Sequence, residues 1–395
     1  MKFDSSNYCY RCVTTASPIC SILLEEGLRK TSGRRKGERA EGLCRKRMMS
    51  DAVSVGKRLK LLRQASLLSL QELSDMLVGS RLPIKRAALS HYESGITLPN
   101  ERAIEELART LGSTPHFFER PDWEDIRLTF CREPGLSGKY EIGLLSFLQI
   151  ELEKIYYIDR LLGCDNPFVM PEKVRVSRGQ EDRVEKLAAQ VRKAYGAQFA
   201  PVSSVTALLE YAGWNIIELP NAFDIAAISG FERSRSMPYI LHTSLYAVDD
   251  YRASLLEALG EAYLQGEDEA HSRELALRFS RAMLFPDSCV YAQFGKKREN
   301  VSITELTFMK QVYGLSKRSI MMRLKELDVV SEHTYNEFED LMRLHGFPRR
   351  KKVMAENIMF YENPTKAAMR VMDALDRNLI SQKEADNLLL VKHMI

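Results

Sequence analysis

The stretch Ser69–Gly95, SLQELSDMLVGSRLPIKRAALSHYESG, decides the fold of the first part of this chain. Ser69 is followed three residues later by Glu72, the spacing of a capping box that starts a helix. A second helical pattern covers Ile84–Tyr92, and Gly95 can end it by taking the left-handed backbone conformation. The stretch therefore predicts two short helices joined by a turn.

Helical periodicity continues on both sides of this stretch. Upstream, Leu59 and Leu62 form an apolar stripe, and the pattern places Lys57, Arg58, Lys60 and Arg63 on the other face. Downstream, Pro99 starts a fourth helix, and the last turn packs a pair of phenylalanines. We therefore predict one small all-helical domain over residues 50–120.

Residues 55–120 resemble the Xre/Cro-type helix-turn-helix family. The resemblance rests on Gly56-x-Arg-Leu, the capping region at Ser69, the run Leu89-Ser-x-Tyr-Glu-x-Gly, and Phe117-Phe118. In that family the third helix enters the major groove of DNA and its first turns read base edges. The resemblance implies a double-stranded DNA operator, bound by residues on or near the second and third helices: Lys85, Arg86, Ala87, Ser90, His91, Gln71 and Arg81.

The turn before the third helix is longer than in the family. The extra part, residues 79–83, could shift the recognition helix, or its Arg81 could add a contact to phosphate. A second interpretation is a helical bundle that has lost DNA binding and serves as a protein-protein module.

Composition is that of a globular chain. Of 395 residues, 45% are apolar and 28% are charged. No apolar run approaches the ~18 residues of a membrane span, and no secretory pattern opens the chain. We therefore expect a cytoplasmic protein with no membrane partner, whose seven cysteines are reduced thiols. Cys9 and Cys12 could form half of a zinc knuckle, but Cys20 and Cys44 are not a close pair.

Charge is distributed unevenly along the chain. Residues 1–48 contain eleven Lys or Arg against five Asp or Glu, whereas the whole chain has a net charge of +4. We interpret this basic segment as a leader without stable structure that can add non-specific affinity for DNA. The predicted organisation is a leader (1–48), a helix-turn-helix domain (50–120), a helical connector (121–180), a second domain (181–345) and a C-terminal helical extension (346–395).

The connector contains a strongly apolar helix over residues 141–162. It is too apolar for a lone surface helix, so it should pack on a neighbouring element or on a second copy of the chain. Family members of the Xre type commonly bind DNA as dimers, and we therefore expect a homodimer in which this helix is a candidate interface.

In the second domain the sequence pattern predicts two helices, then three short strands, and then a pair of long helices at 249–265 and 269–284. The predicted fold class is mainly α with a small sheet, in which a helical N-terminal domain precedes an α+β domain. Residues 181–345 resemble the ImmA/IrrE-type metallopeptidase domain, a compact zincin-like fold. The resemblance rests on the helix start at Pro201, the pair Ser229-Gly230, and the run Ala276-x-x-Phe279 that ends at Pro286.

The metal site of that family is missing from this sequence. Its HExxH motif falls on residues 256–262, where Glu257 and Glu261 stand at the two ligand positions and Ala258 stands at the general base. Glu274 lies one position away from the expected third ligand, which falls on Leu275. No His-x-x-x-His occurs anywhere in the chain.

Several interpretations of these positions stay open. The site can be dead, with the fold kept as a sensor or a dimer scaffold. Glu257 and Glu261, with Glu274, can bind a hard cation such as magnesium or calcium. His242 or His271 can rebuild a zinc site. The two glutamates can also be ordinary solvated residues on a helix.

Two further segments carry weaker signals. Residues 306–327 resemble another helix-turn-helix, in which Lys317 and Arg318 are second-choice DNA contacts. The basic run at 348–352 is typical of a solvated linker, and residues 367–389 predict two helices that pack or dimerise.

The sequence favours a DNA-binding transcriptional regulator without cofactor and without enzyme activity, with a small-molecule or protein effector at its second domain. Two alternatives remain: a metallopeptidase that cleaves a repressor, and an antitoxin-like partner-binding autorepressor.

Overall fold

The structure, a computed structural model, describes most of the chain from residue 51 onward: 51–119, 126–164, 168–170, 172–243, 247–344 and 361–389. It is mainly α-helical with a small sheet, a helical region preceding an α+β region, which confirms the predicted fold class. The predicted leader and the basic run at 348–352 lie outside the described residues.

Five helices form the first region, and the predicted capping box is confirmed. The Ser69 hydroxyl accepts the backbone N–H of Glu72 at 3.1 Å, and the Glu72 carboxylate accepts the backbone N–H of Ser69 at 2.7 Å. The third helix begins two residues later than predicted because Lys85 has the extended backbone of an N-cap. The helices are α1 (51–65), α2 (Leu70–Val78), α3 (Arg86–Glu93), α4 (Glu101–Thr110) and α5 (Pro115–Glu119).

Two of the four basic residues predicted on the face opposite the apolar stripe, Arg58 and Arg63, do not face solvent. Both are buried, with 2% and 9% of their surface exposed. Arg63 binds Glu93 at the end of α3 through two hydrogen bonds of 2.6 and 2.8 Å, and Arg58 pairs with Glu153 of the connector helix. Arg63 and Arg58 are therefore covered by α3 and by the connector helix, which supply the carboxylates that a buried arginine requires, whereas Lys57 and Lys60 are exposed.

The connector helix, α6 (Lys139–Leu162), packs along the chain itself. Near its start Gly143 lies so close to the α1–α2 turn that an added Cβ would be 2.3 Å from Leu67 Cδ2. Further along, Ile158 packs with Val371 of a C-terminal helical hairpin, formed by α15 (Lys366–Asp376) and α16 (Gln382–Leu389). The apolar side of α6 is thus used within one copy, and the predicted homodimer stays a prediction.

A mixed sheet forms the centre of the second region. Its strand order is β1-β4-β5-β3, in which β3 and β5 are parallel and the other two pairs are antiparallel. The connector contributes β1, which pairs with β4 with Thr129 opposite Phe231. The strands are β1 (Leu128–Phe130), β3 (Asn215–Glu218), β4 (Ala227–Glu232) and β5 (Met237–His242), and a separate parallel pair is formed by β2 (Val174–Arg175) and β6 (Leu264–Gln265).

Helices surround this sheet, and the predicted long pair is confirmed as α9 (Val248–Tyr263) and α10 (Glu269–Leu284). Helix α9 packs on β4 and against α10 along its length. The remaining helices are α7 (Asp182–Ala194), α8 (Val205–Tyr211), α11 (Asp287–Phe294), α12 (Ile303–Tyr313), α13 (Lys317–Glu326) and α14 (Glu332–Leu344).

Both faces of the sheet are buried. Because side chains alternate along a strand, Ile216 and Ile240 join the core formed with α9 and α10, whereas Ile217 and Leu241 join the core formed with α6 and the N-terminal helices. The helix-turn-helix region therefore shares a hydrophobic core with the sheet by way of α6.

Candidate functional site

The third helix presents one side to solvent and fixes the other. Leu89 is fully buried. Arg86, Ala87, Ser90 and His91 are all exposed, as is the N-cap residue Lys85. At about 100° per residue, Ala87 and His91 lie roughly opposite Leu89 and Ser90 lies to one side of it, whereas Lys85 and Arg86 stand at the N-terminal end of the helix, four and three residues before Leu89. Five of the seven predicted DNA-contacting residues are thus exposed on α3 and at its N-terminal end, and we call the surface formed by these five residues the α3 face.

Close backbone packing holds α3 from behind. A Cβ on Gly56 of α1 would be 2.2 Å from the Tyr92 carbonyl oxygen, so only glycine allows α1 this near to the end of α3. Gly95 has a φ of +69°, which confirms the left-handed ending that the sequence predicts. At the other end, the Ser74 hydroxyl donates to the Ile84 carbonyl oxygen at 3.1 Å. These contacts fix the α3 face without using any of its side chains.

The other two predicted contact residues lie outside α3. Arg81 is exposed in the turn before the helix, and Gln71 is exposed on the first turn of α2. The Gln71 amide already donates to Asp75 at 2.8 Å within its own helix. The additional residues 79–83 form a turn in which the Ser80 hydroxyl donates to the Leu77 carbonyl at 2.8 Å.

The acid pair Glu257 and Glu261 is buried, which rules out one of the interpretations that the sequence left open. The interpretation that they are ordinary solvated residues on a helix is wrong. Helix α9 packs on β4, and only 9% of Glu257 and 7% of Glu261 is exposed. Ala258 between them is also buried, and its carbonyl accepts the Ser229 hydroxyl at 2.6 Å. Glu274 is exposed on α10.

Two arginines neutralise the acid pair. Arg132, which follows β1, donates from Nε to Glu261 Oε1 at 2.7 Å and from Nη2 to the Ala227 carbonyl at 3.3 Å. Arg273 Nε lies 3.6 Å from Glu257 Oε1. Burial raises the pKa of Glu261, and the Arg132 guanidinium opposes that rise. The acid pair is therefore matched by guanidinium groups, one of which comes from the connector.

Sequence reasoning missed Arg132 as part of this site. No local spacing links position 132 to position 261, so the sequence alone does not indicate their contact. Only the pairing of β1 with β4, continued by the bond from Cys131 N–H to the Ser229 carbonyl at 2.9 Å, brings Arg132 to α9.

The two candidate zinc-binding histidines make contacts with other groups of the chain. His242 is buried at the end of β5, with Nε2 3.4 Å from the Tyr251 hydroxyl, and burial lowers its pKa to about 4. His271 Nδ1 accepts the backbone N–H of Glu267 at 3.2 Å. In the part of the chain that the structure describes, no group of three His, Cys, Asp or Glu side chains is arranged to hold a metal ion.

The second helix-turn-helix segment is less suited to DNA than α3. It forms α12 and α13, and Lys317 and Arg318 are only partly exposed. Arg318 Nε lies 3.3 Å from Glu339 Oε1 of α14, so part of its charge is satisfied within the chain.

Comparison with known proteins supports the N-terminal assignment. A family model described as a helix-turn-helix domain matches residues 54–118, which correspond to α1 to α5. Searches of curated proteins and of solved structures returned no significant match. The match supports a helix-turn-helix DNA-binding module and suggests a DNA-binding regulator. Among the helices of the described residues, none is both long and apolar enough to cross a membrane.

Proposed function

We propose that this chain is a sequence-specific transcriptional regulator whose Xre-type helix-turn-helix domain reads an operator through the α3 face. The observation that carries the proposal is that Lys85, Arg86 and Ser90 are exposed while close backbone contacts hold α3 in place. Arginine can bond a guanine bidentately, and lysine and serine can contact bases or phosphates. Such a face needs fixed orientation, because base readout depends on placing a few side chains accurately.

The test begins with selection of DNA fragments by the purified full-length protein, followed by titration of the selected site. We expect Arg86→Ala to weaken binding by about 1–3 kcal/mol and to relax the preference at one base position. Lys85→Ala should weaken binding to all sequences and lower the slope of log affinity against log salt by about one.

Arg183→Ala is the matched control. Arg183 is exposed on α7, outside the region that the helix-turn-helix family matches, and its loss removes the same charge. Affinity of Arg86→Ala equal to that of Arg183→Ala would rule out Arg86 as a base-reading residue. Absence of any selected sequence would rule out the sequence-specific regulator itself.

We further propose that the second region is a zincin-like pseudo-peptidase domain of the ImmA/IrrE type, used for sensing rather than for catalysis. Three observations support this proposal: the small sheet with one antiparallel strand beside α9, the acid pair at the family's ligand positions, and the arginines that neutralise that pair. Ala258 offers no general base to activate water.

Metal analysis of the purified protein tests whether this domain binds zinc. We expect no stoichiometric zinc and no change in bound metal on Glu261→Ala. Stoichiometric zinc that Glu261→Ala removes would favour the alternative of a metallopeptidase that cleaves a repressor.

We propose in addition that the regulator binds as a homodimer on two half-sites. Dimeric helix-turn-helix proteins contact half-sites about 34–36 Å apart, one turn of DNA, or multiples of that distance. Light scattering of the protein-DNA complex and the symmetry of the selected sites would check this. A single half-site bound by a single copy would contradict it.

A further inference from the structure

We propose that the cavity between α6, β3 and the C-terminal hairpin α15–α16 binds a small organic amine with an apolar body, and that this ligand is the effector of DNA binding. The site deepens the proposed function, on which its effector role rests. The cavity has a volume of about 490 Å³, within the range of ligand pockets in proteins.

The walls of the cavity are largely apolar and come from three separate elements. Helix α6 contributes Phe147, Ile155 and Ile158, the end of β3 contributes Leu219, and the hairpin contributes Val371 and Leu388. Such walls favour a hydrocarbon or aromatic body, because its burial removes apolar surface from water.

The strand edge along this cavity offers hydrogen bonds. Among the described strands β3 pairs only with β5, so its second edge is open. The Leu219 N–H donates to the His242 carbonyl at 2.6 Å, and alternation along the strand then turns the backbone groups of Ile216 and Glu218 toward the cavity. Because only two residues of β3 turn their backbone groups outward, this edge can bind one small polar group but is too short to pair with a further β-strand.

Charge selects the polar group of the ligand. Lys154 pairs with Glu151 at 2.7 Å, and Arg370 pairs with Asp159. The remaining acid of the lining, Glu218, is exposed and has no hydrogen bond or ion pair within the described part of the chain. A protonated amine would pair with Glu218 and donate to the open strand edge, whereas a carboxylate would be repelled.

Helix α6 connects this cavity to the helix-turn-helix domain. While Glu151 and Lys154 line the cavity, Glu153 between them pairs with Arg58 of α1. Earlier on the same helix, the Ser146 hydroxyl is 3.4 Å from the Gln64 side-chain oxygen. A ligand that displaces α6 therefore acts on the element that holds the DNA-binding helices, which is the contact that allosteric coupling requires.

The experiment compares phenylbutylamine with phenylbutanol and phenylbutanoate on the full-length protein without DNA. We expect saturable binding of the amine by calorimetry and a rise in melting temperature, with at least tenfold weaker binding of the alcohol and the carboxylate. Preference for the carboxylate, or no binding of the amine, would overturn the ligand class.

Two variants locate the site. Glu218→Gln should weaken amine binding at least tenfold, and Ala368→Phe should abolish it by filling the cavity from an exposed position of α15. Both positions are at the surface, so folding should be retained. Glu269→Gln, which removes an exposed acid on α10, is the control. Binding that neither variant weakens would place the amine elsewhere and overturn the site.

The effector role is measured separately, as the affinity for the selected DNA with and without saturating amine. A change of fivefold or more that Ala368→Phe removes supports coupling, and an unchanged affinity overturns it. If the protein selects no DNA, the regulator proposal fails, whereas the binding measurements without DNA still decide the cavity site.

Discussion

At the scale of single residues, the contact between Arg132 and Glu261 has a measurable energetic consequence. Glu261 is 7% exposed, and its Oε2 has no hydrogen-bond partner in the described residues. Removing one partner of a buried pair leaves an uncompensated charge, whereas replacing both by apolar groups is often nearly neutral. The Arg132 guanidinium therefore stabilises the fold mainly by neutralising the charge of a carboxylate that is buried in any case.

We expect Arg132→Met to destabilise the protein by about 3–5 kcal/mol, since it leaves the buried Glu261 carboxylate unpaired. The double variant Arg132→Met with Glu261→Met should recover most of that loss. Urea unfolding of the two single variants and the double variant measures the coupling.

Arg273→Met is the control for this cycle, because the Arg273 side chain is 55% exposed and its Nε lies 3.6 Å from Glu257 Oε1, too far for a hydrogen bond. An exposed partner of this kind should change stability by less than about 1 kcal/mol. Equal losses for Arg132→Met and Arg273→Met would mean that the buried pair has no special weight.

At the scale of elements, α6 packs against both the N-terminal helices and the sheet, so its placement fixes one relative to the other. Its contact with α1 and α2 has no spare room: a Cβ on Gly143 would be 2.3 Å from Leu67 Cδ2 and 3.0 Å from the Gln64 carbonyl oxygen. One of these neighbours is backbone, so a side-chain rotation cannot relieve the whole overlap.

Gly143→Ala is therefore expected to cost about 1–3 kcal/mol and to reduce hydrogen-exchange protection in α1 and α2. Gly79→Ala is the matched control, because nothing lies within 4 Å of an added Cβ there and its φ is −87°. Equal protection of α1 and α2 in the two variants would contradict close docking of α6.

Local patterns explain which elements the sequence could predict. The capping box at Ser69, the left-handed Gly95 and the α9–α10 pair each follow from residues close together in the chain. Strand β1 has only three residues and exists because β4 offers an edge more than ninety residues later. The same long separation hid the partners of Arg58 and Arg132, since periodicity states only which face of a helix is apolar.

For the whole molecule, burial of both sheet faces creates a sensitivity to acid. His242 lies at the end of β5, 2% exposed, in edge-to-face contact with Tyr251 at 4.9 Å between ring centres. Burial lowers its pKa from 6.5 to about 4. The unfolded chain therefore binds a proton that the folded chain does not bind between these values, and stability is lost as the pH falls from about 6.5 toward 4.

We expect His242→Gln to have a weaker pH dependence of unfolding than the parent. Between pH 7 and pH 5 the difference should be about 1–2 kcal/mol for one proton, measured by urea unfolding at both values. Tyr251→Phe keeps the histidine and should lower stability without changing the slope. Parallel pH curves for His242→Gln and the parent would show that His242 protonates equally in both states.

The shared core of α6 and the N-terminal helices also defines what recombination can exchange. Transfer of residues 54–118 alone to another protein would leave the recipient without Glu153 for Arg58 and without Gly143 beneath Leu67. The protein that loses residues 54–118 would keep α6 with part of its apolar side exposed to solvent. The heritable cassette is therefore longer than the stretch that the family match covers, and it extends through α6.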